Sequence, residues 1–329
     1  MTLGRRHYLL TAQILISGVL LAWLISFAKP SELIAAARDV SPVALLVTAA
    51  LLMFANALAA LRQSIILRAL GIDVSFLRMV ALNWMGLFAN NFLPSSVGGD
   101  AAIAAILQSK YRRFGTIVSA LLINRIFGLI GLMVLLLILF ILVDLGALQE
   151  LVNHVIQWSI GLLLLLGLAG TMLIVLLRGD NRFARLVASG FARLQAMSVT
   201  AVNLGWTSLG IFAFSVAIML LLGATTALLG CWLYSAADFW TTTTIVLMLQ
   251  LVLLLPITFN GIGMTESVAA YCLTEIGWPL HEAVLYSLLL RGLTIAISLP
   301  GVAAFFFVPK TDRIARETQV VADIDAEKP

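Results

Sequence analysis

Two stretches interrupt the apolar chain in the same way, and they constrain its fold more than any other feature. The first is FLPSSVGGD, Phe92 to Asp100, and the second is LPITFNGIGMTE, Leu255 to Glu266. Each has a Leu-Pro pair (Pro94; Pro256), then a glycine pair (Gly98 and Gly99; Gly261 and Gly263), then a carboxylate (Asp100; Glu266). Each is followed about one helix later by an arginine inside a further apolar run, Arg125 and Arg291. Proline and glycine in a lipid-embedded helix free backbone polar groups, which survive only against protein or beside a watery cavity. Two such breaks at matching places in two halves point to a transport site.

The membrane setting follows from composition. The chain is 62% hydrophobic and 11% charged, against about 25% charge in soluble domains. Its mean hydropathy is +1.08. An integral membrane protein is expected, with nearly all of Tyr8 to Val308 needed for the membrane part and no attached soluble catalytic domain. The run from Tyr8 to Ala28 is long enough to span and has no small-residue cleavage site, so it reads as a span and not a signal peptide. Cys231 and Cys272 lack metal-ligand spacing and read as small buried side chains. The net charge of +4 comes from basic residues at segment ends, a matter of topology and not of nucleic acid.

Full spans are expected at 8–28, 41–61, 116–143, 156–177, 203–233 and 284–308, and two broken segments at 79–109 and 241–274. Arg5 and Arg6 place the N-terminus in the cytoplasm. The first broken segment is flanked by Arg78 on one side and Lys110, Arg112 and Arg113 on the other, so both its ends belong on the cytoplasmic side. The second is flanked by Asp238, Glu275, His281 and Glu282, so both its ends belong outside. All Lys and Arg except Lys29, Arg38, Arg125 and Arg291 then fall on the cytoplasmic side, including Arg62 after the second span. Both halves, about 8–143 and 156–308, read span, span, broken hairpin, span with opposite starting sides. The expected architecture is therefore an all-α polytopic membrane protein, a single domain over 1–310. It is an inverted repeat of about six full spans plus two hairpins. Hairpin arms of about 15 residues reach roughly 22 Å, short of a ~30 Å hydrocarbon core, which favours re-entry over two short crossings. An amphipathic inner-leaflet helix or a basic linker fits 178–200, and 311–329 reads as a mobile cytoplasmic tail.

Few residues can carry chemistry. An arginine at mid-bilayer costs at least ~2.5–3.5 kcal/mol, so Arg125 and Arg291 need partners. Each either pairs with a carboxylate or with carbonyls freed at the hairpin, or holds an anionic ligand by forking onto phosphate. Asp100 and Glu266 suit the first turn of a second hairpin helix. Glu266 is also a candidate to neutralise Arg291, to bind a cationic headgroup or to carry a proton. Gly98, Gly99, Gly261 and Gly263 let backbone N–H groups approach an anion. Asn90, Asn91 and Asn260 lie beside the breaks and could line a cavity, while Asn124 and Gln250 read as interhelical hydrogen-bonding groups. Trp84, Trp158, Trp206, Trp232, Trp240 and Trp278 fall near expected span ends, as interface anchors do. No nucleophile with a base, metal cluster or P-loop is evident, so no catalytic residue, metal or cofactor is expected.

With these motifs assembled, the chain resembles the membrane-domain family named after lysylphosphatidylglycerol synthetase, a group of flippase-like proteins. The resemblance rests on GLFANNFLPSSVGGD, NRIFGLIG from Asn124, LPITFNGIGMTES and the LLRGLTI run around Arg291. It implies a lipid-translocating domain of the bacterial cytoplasmic membrane. In bifunctional members a separate soluble domain makes the aminoacylated lipid, which this membrane domain then moves. Asn124 stands where the family often has Asp, Ala101 and Ala102 where an Arg often follows the Gly-Gly-Asp, and Thr265 where another arginine can stand. A less charged cavity is implied. The expected function is that of a flippase or scramblase for a phosphate-bearing phospholipid or isoprenoid-linked lipid, with a separate lipid-modifying enzyme and a second copy of the chain as candidate partners. The alternatives are a small-molecule secondary transporter and an intramembrane headgroup transferase.

Overall fold

A computed structural model describes residues 3–92, 98–146, 149–150, 206–253 and 258–304, with backbone alone for 3–14, 92 and 259. Among these residues the fold is helical throughout. In chain order the helices are α1 (Leu3–Phe27), α2 (Pro30–Arg38), α3 (Pro42–Ala69), α4 (Phe76–Phe92), α5 (Gly98–Tyr111) and α6 (Phe114–Leu142), then α7 (Trp206–Leu233), α8 (Phe239–Val252), α9 (Met264–Glu275) and α10 (Leu280–Ser298). Four stretches are long and apolar enough to cross a membrane: α3, α6, α7, and α10 carried on to Ala304. The apolar pair α1–α2 is bent by 80° and would bring the number to five if it is one broken span rather than a re-entrant loop. The expected span at 156–177, the basic stretch 178–200 and the tail 311–329 lie outside the described residues.

Local sequence explains where the helices stop. Lys29 takes a left-handed φ of 54°, and Pro30 restarts the helix at its first turn, where a missing N–H costs nothing. The segment expected as a plain loop after the first span is therefore the short helix α2. Ser41 caps α3 by accepting from the Ala44 N–H, with Pro42 at the first position. α3 runs on to Ala69, past the expected end at 61, because no Gly or Pro interrupts Leu61 to Ala69.

The two broken segments are each a pair of short helices. α4 and α5 have 17 and 14 residues, about 25 and 21 Å. α8 and α9 have 14 and 12, about 21 and 18 Å. All four fall short of a ~30 Å core. The outer ends of each pair converge. For the first, the Tyr111 hydroxyl donates to the Asp73 carbonyl, and Arg113 Nη1 donates to the Gly71 carbonyl at 3.0 Å. For the second, the Tyr234 hydroxyl donates to the Gly277 carbonyl at 3.3 Å, and its ring lies 5.2 Å from that of Trp278.

These ends belong to opposite ends of the molecule. α6 starts beside Arg113 and runs 29 residues, about 43 Å. Just beyond it, Leu145 is buried in the same apolar cluster as Trp278, Leu33 and Tyr286. The near end of α6 contributes Ile117 to a second cluster, with Ile72, Met79 and Leu107. The far end also holds α2, where Glu32 meets His281 Nδ1 at 3.6 Å and Lys29 at 2.8 Å.

One expectation about tryptophan fails. Trp278 is 4% exposed, wedged between Tyr234 and Tyr286, and is a core residue, not an interface anchor. Position near a helix end does not distinguish the two roles when a second helix packs over that end. Trp206, Trp232 and Trp240 are exposed, as anchoring at an interface requires.

Candidate functional site

The second hairpin builds its tip from residues that tolerate unusual backbone. Asn260 has φ 49° and ψ 33°, which asparagine visits more readily than most residues. Gly261 and Gly263 have φ +73° and +81°. Gly263 caps α9, and its N–H is accepted by Glu266 Oε2 at 2.7 Å, three residues on. That is the carboxylate half of a capping box. A Cβ on Gly263 would lie 2.8 Å from the Ser17 carbonyl and from Leu20 Cβ, so α1 packs directly on this tip.

Arg291 reaches the same tip from α10, about 17 Å from the start of that helix. Its Nε donates to Glu266 Oε1 at 2.6 Å, its Nη2 to Thr265 Oγ at 2.6 Å and its Nη1 to the Asn260 carbonyl at 3.3 Å. The Glu266 side chain is 3% exposed and that of Arg291 18%. A carboxylate buried this deeply needs charged and hydrogen-bonding partners, and the tip supplies both. The carbonyl left over at the helix break is one of the groups the guanidinium satisfies. Five N–H groups minus these three bonds leave two on the Nη edge.

The first hairpin repeats the pattern. Arg125 Nε on α6 donates to Asp100 in the first turn of α5. The separation in sequence is 25 residues in both pairs, and the donor atom is the same. The Gly99 N–H donates to Asn90 Oδ1 at 2.7 Å. A Cβ on Gly99 would stand 2.3 Å from the Gly86 carbonyl, so this glycine is fixed by the contact of α4 with α5. Gly98 opens α5. Pro94 and Pro256 lie outside the described residues.

The two hairpins touch. Asn260 Nδ2 donates to Asn91 Oδ1 at 3.4 Å, and Asn91 Nδ2 donates to Ser298 Oγ at 2.8 Å. Beside this contact is a cavity of about 420 Å³, within the ordinary range of ~300–1,000 Å³ for a ligand site. Asn90, Asn91, Asn260, Glu266 and Arg291 all line it. Arg125, Asp100, Gly98, Gly99, Gly261 and Gly263 are not among its lining residues. Arg125 and Arg291 were both candidates to hold an anionic ligand. The fold brings only Arg291 to the cavity, while Arg125 is committed to Asp100 elsewhere.

Sequence reasoning missed part of the lining. Asn56, Thr226, Ser287 and Thr294 contribute, and so does Gln250, which reads in the sequence as a helix-to-helix bridge. Asn56 was findable as an amide in the middle of an apolar run. Asn124 does bridge helices, accepting from Arg62 Nε at 2.8 Å. Arg62 is the larger correction. It was expected at the cytoplasmic flank, yet it is 5% exposed inside α3, about 10 Å before the helix end. Its Nη1 donates to Ser215 Oγ at 2.8 Å, and it makes no ion pair among the described residues. The apolar residues Ile65, Ile66 and Leu67 beyond it were the available signal.

Residues 10–301 match the family described as the lysylphosphatidylglycerol synthase TM region. A 100-residue stretch is 36% identical to a UPF0104 membrane protein of Methanothermobacter thermautotrophicus and covers 30% of this chain and 30% of that protein. With 10–301 matched, the chain belongs to the lysylphosphatidylglycerol synthase TM-region family.

Proposed function

We propose that this protein carries a phosphate-bearing lipid between leaflets, as a flippase or scramblase, with the headgroup passing through the cavity beside the hairpin contact. The observation that carries the reading is the amphipathic character of that cavity. Leu52, Leu87, Leu222 and Leu253 line it together with Asn90, Gln250 and Arg291. A lipid needs both kinds of surface, polar for the head and apolar for the chains.

The two hairpins are re-entrant and inverted. Their short arms, their outer ends at opposite poles of α6 and the matched arginine–carboxylate pairs support that reading. The pole carrying Arg68, Arg78, Lys110, Arg112 and Arg113 faces the cytoplasm by the positive-inside rule, in a bacterial inner membrane, and it gathers anionic lipid. Arg291 offers the two N–H groups on its Nη edge to phosphate while Glu266 holds the guanidinium in place. Arg125 and Asp100 stabilise the first hairpin and bear on transport through its position. The lipid crosses unmodified, and a separate enzyme supplies it. No nucleotide-binding motif is present in the sequence, so movement is downhill or coupled to an ion or to voltage.

The test is transfer of headgroup-labelled phospholipid in proteoliposomes, wild type against Arg291→Gln with folding checked by size-exclusion chromatography. Loss of transfer by more than about tenfold is expected from losing charge-assisted contacts. Unchanged transfer in a folded variant overturns the role of Arg291, and conversion of the lipid to a new species overturns the transporter reading itself.

A further inference from the structure

The cavity's unused hydrogen-bonding groups describe a particular kind of headgroup. Arg291 and Glu266 cancel each other's charge. Four amides on the cavity wall have spare capacity. The Gln250 side chain makes no hydrogen bond to the described residues. Asn90 uses only its Oδ1. Asn56 donates only through Nδ2, to the Leu52 carbonyl at 3.0 Å. Asn260 uses its Nδ2 and keeps its Oδ1. Whichever way each amide is turned, the set presents donors and acceptors side by side.

Chemistry then discriminates between headgroups. A bare phosphate monoester only accepts while largely ionised, and would leave the amide oxygens without donors. An ammonium only donates, and Glu266, the one carboxylate among the described lining residues, already has its charge balanced by Arg291 and accepts from the Gly263 N–H. A hydroxyl both donates and accepts, so a headgroup with several hydroxyls can satisfy both halves of the set. Two residual N–H groups on Arg291 suit one phosphodiester oxygen pair. Buried polar groups left unpaired are what make such sites selective.

We infer that the cavity selects a monoanionic phosphodiester bearing a neutral, hydroxylated head group, of the glycerol, inositol or sugar kind, over cationic or bare-phosphate heads. This rests on the transport reading above and narrows it. Gln250 is the specificity-determining residue, as the one amide among those lining the cavity with both ends unengaged by described residues.

The experiment uses the full chain in proteoliposomes with acyl-labelled phosphatidylglycerol, phosphatidylethanolamine, phosphatidic acid and lysyl-phosphatidylglycerol, plus uptake of the water-soluble phosphodiester glycerophosphoglycerol. Phosphatidylglycerol is expected to cross about tenfold faster than the other lipids, with Gln250→Leu and Asn56→Leu each lowering its rate and shrinking the preference. Equal protein-dependent rates for all four lipids overturn the selectivity while leaving lipid transport standing. A preference unchanged by either substitution, in protein that elutes as folded, overturns the assignment of these amides. Absence of movement for every lipid overturns the transport reading, and this inference with it. Glycerophosphoglycerol crossing as fast as the lipids supports the head-group chemistry but moves its source from lipid to free solute.

Discussion

Removing the guanidinium from Arg291 strands a carboxylate that the fold has almost sealed. In an Arg291→Met variant Glu266 keeps the Gly263 N–H at 2.7 Å and the Thr265 hydroxyl at 3.1 Å. It loses its only ion-pair partner among the described residues, while its side chain stays 3% exposed. The Asn260 carbonyl and Thr265 Oγ lose a donor in the same step. Breaking one side of a buried pair costs about 3–5 kcal/mol because the remaining charge stays desolvated. At about 2 °C per kcal/mol for a chain of this size the unfolding midpoint in detergent should fall by roughly 6–10 °C. Adding Glu266→Gln to the variant removes the stranded charge and should restore most of that loss, since neutral replacement of both partners is often close to harmless. The equivalent Arg125→Met change breaks a more open pair, with side chains 36% and 27% exposed, and should cost only about 1–2 kcal/mol. The reasoning is refuted if Arg291→Met shifts the midpoint no more than Arg125→Met does, or if the double variant is worse than Arg291→Met alone.

Three further outcomes follow from the same geometry. Asn124→Asp gives the buried Arg62 an anionic partner at 2.8 Å and should raise the midpoint, by about 1–2 kcal/mol for a charge-assisted bond replacing a neutral one. A fall would mean that Arg62 is balanced in some other way. Gly99→Ala drives a methyl to 2.3 Å from the Gly86 carbonyl and should cost about 2–3 kcal/mol by forcing α4 from α5; a thermal shift within error would contradict that packing. Gly263→Ala meets both a φ of +81° and the α1 backbone, so a loss of about 2–4 kcal/mol is expected, measured in the same melt. Gly292→Ala is the control, because its Cβ would meet open space and a helical alanine should be neutral or slightly stabilising.

The hairpins were legible because proline, glycine and a following acid leave a local signature in an otherwise apolar run. The structure indeed divides each segment into two short helices at that signature. The pairing of Glu266 with Arg291 was legible as one of several readings, and that of Arg125 only as a need for some carboxylate or carbonyl, since a charge in lipid must find something. Which arginine faces the cavity was not, because that depends on how α6 and α10 pack against the hairpins, and the spacing of 25 is the same in both. Arg62 was misread because charge bias treats a basic residue near a span end as a flank. Only the continuation of α3 to Ala69 takes it inside. Trp278 was misread for the same kind of reason, as α10 and the 233–239 turn cover it.

A cross-link at the hairpin contact tests the account most directly. With Cys231 and Cys272 replaced, cysteines at Asn91 and Asn260 stand where the side chains now meet at 3.4 Å. Oxidation in proteoliposomes should join them and stop lipid transfer, and reduction should restore it. Failure of the two cysteines to join in folded protein, or undiminished transfer through the cross-linked form, would contradict a lipid path that runs between these two tips.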